Sequence, residues 1–236
     1  MRPLFESIEG LLRKGNSWLE GPSLGRGNLE HKPLPLRSQP SRNGLRDGKP
    51  PEVTMLVLDN SASMDEWDFY PSRLAGAKNA ATKFLLAACS TDADQHVGIV
   101  TFSTEAKLVA APTEVGNSVN DLTRALERIK TGNSTNIEAG LDLAREQMQE
   151  VMCLKKKIIL LTDGAPTDGD SEAAAQRAKD AGIVVKIIGI GGHPRDVDEL
   201  LLKRMASVVN GQLQYWFIAD SPNLVKRFES LGLRAF

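Results

Sequence analysis

Asp59, Ser61 and Ser63 sit at alternate positions directly behind the apolar run Val53–Leu58. A carboxylate and two hydroxyls make an all-oxygen donor set of low formal charge. Such a set suits a hard divalent cation, Mg²⁺ before Mn²⁺, and does not suit zinc. Two further oxygen donors arrive later in the chain. Thr135 lies in Gly132-Asn133-Ser134-Thr135-Asn136, just ahead of a helix start, and Asp163 lies in Leu161-Thr162-Asp163-Gly164 at the end of an apolar strand. Taken singly, Ser61 and Ser63 also suit capping of the following turn, and Asp163 suits bracing of a loop. Together, the five read as a site that binds a metal.

The elements that must position these donors follow from periodicity. Val53–Leu58 has the β-rich, continuously apolar pattern of a buried parallel strand. Leu74 through Ala88 repeat at helical spacing, with Pro71 near the first turn. His96–Phe102 reads as a strand and Ala106–Ala110 as its short hairpin partner. Leu122, Ala125, Leu126 and Ile129 mark a short helix; Ile137 through Val151 mark another, with Asn136 as N-cap. The spacing then predicts strand Lys157–Thr162, helix Ser171–Ala181 ending at Gly182, strand Ile183–Ile190, helix Asp196–Val208, strand Gln212–Ile218 and helix Pro222–Leu231. This alternation predicts an α/β fold: a doubly wound, mainly parallel sheet with helices on both faces and one antiparallel edge strand. In such sheets ligands bind at the carboxyl ends of the strands, where these donors fall.

Composition narrows the function classes. A chain of 236 residues with a formal net charge of −1 gives no electrostatic footprint for nucleic acid or a membrane surface. No apolar run approaches the roughly 20 residues that span a bilayer, and acids inside the first apolar stretch argue against a signal peptide. Cys89 and Cys153 read as small hydrophobes inside the domain and not as a disulfide, which points to a reducing cytoplasm. Residues 1–52 are read as a disordered extension: Pro, Gly, Ser, Asn and Arg dominate from Gly21 to Pro51, and an apolar face recurs only over residues 3–14, as a short amphipathic helix. The domain proper is assigned to 53–236.

With Asp-x-Ser-x-Ser, Gly-x-x-Thr-Asn and Leu-Thr-Asp-Gly at the ends of the appropriate elements, the chain resembles a von Willebrand factor type A domain with a metal-ion-dependent adhesion site, from about Pro51 to Phe236. The resemblance implies a Rossmann-like fold. It also implies that Ser61, Ser63 and, in the ligand-engaged state, Thr135 touch the metal, with Asp59 and Asp163 acting directly or through water. A protein partner would complete the coordination with an Asp or Glu, and the C-terminal helix Pro222–Leu231 would shift on engagement. Asp65, Glu66 and Asp68 resemble the acidic cluster of a second metal site in integrin-type domains, but the spacing differs, and they read as a solvated acidic loop.

Enzyme signatures are weak. Gly189-Ile190-Gly191-Gly192 follows a late strand, lacks a full dinucleotide fingerprint and is interrupted by Pro194. There is no P-loop; Ser61 stands where a haloacid-dehalogenase-type phosphatase needs its second Asp; His31, His96 and His193 are not placed as general bases. The expectation is a non-enzymatic, intracellular interaction module, a scaffold or regulator within a multiprotein complex. Alternatives are a non-catalytic subunit of an AAA+ ATPase of the chelatase type, a stress or tellurite-resistance assembly, and an extracellular adhesin.

Overall fold

Eight consecutive residues, Glu52–Asp59, form strand β1, and all eight are buried. A strand covered on both sides must send alternate side chains into two different cores. Val53, Met55 and Val57 enter one, and Leu56 and Leu58 the other. The computed structural model describes residues 52–91, 95–153 and 155–233; the extension over 1–51 and its amphipathic segment at 3–14 lie outside the described residues.

After β1, a 3-10 turn (Ala62–Asp65) leads to α1 (Arg73–Thr91), β2 (Gln95–Phe102), β3 (Ala106–Glu114), α2 (Val115–Glu127) and α3 (Ile137–Gln149). Then follow β4 (Lys155–Thr162), α4 (Ser171–Asp180), β5 (Ile183–Ile190), a 3-10 turn (Pro194–Asp196) and α5 (Glu199–Met205). Two-residue strands β6 (Val208–Val209) and β7 (Gln212–Leu213), strand β8 (Tyr215–Ile218) and α6 (Ser221–Leu233) complete the domain. The main sheet has the order β3-β2-β1-β4-β5-β8. Its strands are parallel except β3, the expected antiparallel edge. Helices α1, α2 and α6 cover one face, and α3, α4 and α5 the other. The chain leaves β1 toward β2 on one side and returns to β4 on the other. The crevice beyond β1 and β4 is therefore the switch point of the sheet.

Local signals account for most boundaries. Asn136 caps α3 by accepting from Ala139 N at 2.9 Å, and Gly182, at φ +75°, ends the turn after α4. The stretch 196–218 differs from expectation. Its predicted helix is a 3-10 turn followed by the short α5, and its predicted strand is divided between β7 and β8. The cause is Asn210-Gly211, with φ of +50° and +75°. That pair makes the tight turn of a hairpin in which Val208 faces Leu213 and Val209 faces Gln212. Gln214 then turns the chain into the main sheet, its N–H donating to Ser207 O at 2.8 Å and its carbonyl accepting from Ile187 N at 2.9 Å.

Cys89 packs against one core and Cys153 against the other; both are free and half-buried, less covered than expected. Burial pushes the Cys153 thiol up. No described helix is long and apolar enough to cross a membrane.

Phe84, fully buried on α1, sits where α1 and α6 touch: a side chain on Gly232 of α6 would meet Phe84 O at 2.6 Å. Phe84→Ala is expected to cost about 3–5 kcal/mol, whereas Leu86→Ala on the exposed side of the same helix should cost less than about 0.5 kcal/mol. Urea denaturation of both variants checks this.

Candidate metal centre

Strand β1 ends by delivering Asp59 into the crevice, and β4 ends one step before Asp163. Both carboxylates are buried, at 0% and 1% exposure. Parallel registry pairs Leu58 with Leu161, so Asp59 comes level with Thr162 and Asp163 follows one residue further on the neighbouring path. Asp59 is pinned by two donors: Ser61 N–H at 2.8 Å on Oδ1 and Thr162 Oγ1 at 2.6 Å on Oδ2. Ser63 Oγ donates to Asp163 Oδ1 at 2.8 Å, and the Ser61 and Ser63 hydroxyls lie 3.2 Å apart. Ser61 opens the 3-10 turn but makes no side-chain cap there. Its hydroxyl joins the cluster, which disfavours the simple capping role.

Neighbouring loops are stitched to this one through backbone groups. Ala62 N–H donates to Asn133 O at 2.9 Å, Gly132 N–H to Asn60 O at 2.5 Å, and Asn60 Nδ2 to Lys130 O at 2.7 Å. Thr135 is buried in that second loop. It exchanges hydrogen bonds with Thr167 in the third: Thr135 N–H donates to the Thr167 side-chain Oγ1 at 3.1 Å, and Thr167 N–H donates to Thr135 O at 2.9 Å. A Cβ built on Gly164 would stand 4.0 Å from Thr135 Oγ1, so the threonine hydroxyl faces the loop that follows Asp163. Asp59, Ser61, Ser63 and Asp163 thus form one bonded cluster; Thr135 borders it without joining its chain of bonds.

The electrostatics are those of a cluster with too much negative charge for its burial. Asp59 is pushed up to about 7, first by burial and then by the charge of Asp163, against the opposing hydrogen bonds from Ser61 and Thr162. Burial also raises Asp163, against the opposing pull of Arg73 and Ser63. A divalent cation would relieve both. The hydroxyls fit as well: a serine that gives its proton to a carboxylate, as Ser63 does, keeps lone pairs for a metal. Among the described residues, no group of three or more His, Cys, Asp or Glu side chains is arranged to hold a metal. Any metal here would rest on two carboxylates and neutral hydroxyls.

Arg73, Asp68 and Asp196 enlarge the cluster and were not among the expected site residues. Asp65, Glu66 and Asp68 are exposed, as expected of a solvated loop, but Asp68 is also engaged: it receives Arg73 Nε at 2.8 Å, Arg73 Nη2 at 2.5 Å and Gly192 N–H at 2.8 Å. These bonds, led by Arg73, hold its carboxyl below the usual range. Asp65 likewise accepts from Thr131 Oγ1 at 2.6 Å. The glycine run after β5 is a structural turn, as expected; its lack of side chains lets Gly192 approach Asp68, whose Oδ2 would lie 3.0 Å from an added Cβ. One local signal pointed to Arg73. It opens a helix whose first turn contains no acid, the unfavourable end for a cation unless an outside partner holds it.

This arrangement places donors at the ends of β1 and β4, at the switch point where α/β sheets generally bind ligands. Residues 55–230 match the von Willebrand factor type A domain family, and the chain belongs to that family. It is similar to a UPF0353 protein of Mycobacterium sp. (strain KMS), 26% identical over 186 residues, covering 68% of this chain and 54% of the relative. The chain thus spans about half the length of the curated relatives it matches. Its fold is similar to that of the conserved hypothetical protein BatB from Bacteroides thetaiotaomicron, with a TM-score of 0.63, 22% identity, and coverage of 76% of this chain and 96% of that one. It is also similar to the vWF domain of the type V pili tip protein Mfa5 from Porphyromonas gingivalis, with a TM-score of 0.66, 14% identity, and coverage of 78% and 94%.

In metal-free protein, the native state keeps a proton on Asp59 that the unfolded chain gives up near 3.8. Stability from this group is fully present below that value and is lost as pH rises through 7. With EDTA present, Asp59→Asn should therefore gain stability over wild type as pH increases, by an amount of order 4 kcal/mol at about pH 8. Urea denaturation across that range checks it; a difference that stays constant with pH would rule out the assignment.

Proposed function

We propose that this chain is a metal-dependent protein–protein interaction module, in which Asp59, Ser61, Ser63, Thr135 and Asp163 hold Mg²⁺, or Mn²⁺ in its place. The observation that carries this reading is the hydroxyl–carboxylate chain Ser61–Ser63–Asp163 beside the pinned Asp59. When bound, the cation would supply an electrophilic point for an Asp or Glu side chain of a protein partner. The chain's own residues provide the low-charge oxygen set, the orientation and the exclusion of bulk water. A set with few formal charges leaves the cation partly uncompensated, which favours an external carboxylate.

The surroundings support a protein partner. Trp67 and Tyr70, 84% and 86% exposed, stand on the loop between Ser63 and Arg73. Large exposed aromatics beside a binding crevice are the residues that dominate protein interfaces. The same reading assigns no reaction to the chain. His193, in the loop after β5, caps the turn there, its Nδ1 accepting from Arg195 N–H at 3.2 Å. Residence in a reducing compartment such as the cytoplasm belongs to the same proposal. A role as scaffold or regulator of a larger complex belongs to this proposal, as does displacement of α6 from α1 when the partner engages.

Mg²⁺ at about 100 times its dissociation constant should raise the unfolding free energy by about 2.7 kcal/mol. The gain should vanish in EDTA and in Asp59→Ala. A partner retained from native extract in Mg²⁺ should be lost under the same two conditions. Stability and partner binding that are both indifferent to EDTA and to Asp59→Ala would overturn the proposal.

A further inference from the structure

Asp163 serves two masters in this cluster. One oxygen accepts from Ser63, a candidate metal ligand; the other, Oδ2, accepts from Arg73 Nη1 at 3.0 Å. Arg73 is the first residue of α1, and its side chain is only 9% exposed. A buried cation at the positive end of a helix gains nothing from that helix. Carboxylates from elsewhere hold it: Asp163 on one arm, Asp68 on the fork at 2.8 and 2.5 Å, and Asp196 at 3.6 Å from Nη2. Backbone groups of the loop after β5 fix two of these acids, Gly192 N–H on Asp68 at 2.8 Å and His193 N–H on Asp196 at 2.9 Å. The guanidinium is therefore a fixed positive charge that shares a carboxylate with the candidate metal set.

We propose that Arg73 is a positioning residue that sets how strongly the site attracts its cation. It holds Asp163 in place and offsets that carboxylate's pull on the metal, while Asp68 sets how much of the Arg73 charge remains uncompensated. This inference rests on the reading of Asp59, Ser61, Ser63, Thr135 and Asp163 as a metal site. Its physical content is a sign rule. Removing the positive charge at 73 strengthens metal binding, and removing the negative charge at 68 weakens it. A residue that merely braced the loops would lower folding stability and leave metal affinity unchanged or reduced in both variants.

The test titrates Mn²⁺ alone into the full chain and follows free Mn²⁺ by electron paramagnetic resonance. Arg73→Met should bind about tenfold tighter than wild type, Asp68→Asn about threefold weaker, and the charge-conserving Arg73→Lys within about twofold of wild type. Should Arg73→Met not fold, Arg73→Gln replaces it, since its amide retains a donor for Asp163. Binding by the neutral variant that is equal to or weaker than wild type, or binding by Asp68→Asn that is unchanged or tighter, overturns the role of Arg73 and leaves the metal site standing. No Mn²⁺ binding by wild type overturns the metal-site reading and this inference with it.

Discussion

Two carboxylates buried on neighbouring strands are the constraint around which the rest of this site is arranged. Asp59 ends β1 and Asp163 follows β4 by one residue, both out of contact with water, and the charge of Asp163 raises the cost of charging Asp59. Like charges so placed require compensation. The structure supplies it in two forms: hydroxyl and amide donors from Ser61, Ser63 and Thr162, and the guanidinium of Arg73. The proposed cation would be the third.

The fold makes this burial affordable by topology. Because β1 and β4 are central strands covered on both faces, their ends open into a crevice walled by loops. Those loops are tied to one another through main-chain groups, so the positions of Ser61, Ser63 and Thr135 do not depend on long flexible side chains. Arg73 extends the same cluster to the start of α1 and the loop after β5. The same helix α1, which opens with Arg73, packs along the C-terminal helix α6. That continuity gives the proposed displacement of α6 a physical route.

Much of the frame was legible because its signals are local. Alternating apolar strands and helices, Asn136 as a cap, Gly182 as a stop, and hydroxyls two residues apart behind a strand are all short-range patterns. The misreadings were partly local as well. Asn210-Gly211 is a strong hairpin signal, yet the apolar residues on either side were assigned to a longer helix and a longer strand. The acids after Ser63 are exposed as expected, but two of their bonds were not legible because the partners lie far along the chain: Gly192 for Asp68 and Thr131 for Asp65.

By itself, the sequence determined which strands are buried on both sides, that a doubly wound sheet would form, and that oxygen donors would cluster at its carboxyl end. Those outcomes follow from periodicity and from the geometry of parallel strands, and both are written in neighbouring residues. Only the tertiary structure decided how the charges are shared. Whether Asp163 belongs to Ser63, to Arg73 or to both depends on where α1 begins relative to β4. That Asp68, though exposed, clamps a guanidinium depends in part on Gly192 in the loop after β5. Electrostatic partnership is set by distance in space, and residues 68, 73, 163 and 196 come within reach of one another only when three separate segments, after β1, β4 and β5, meet above the sheet.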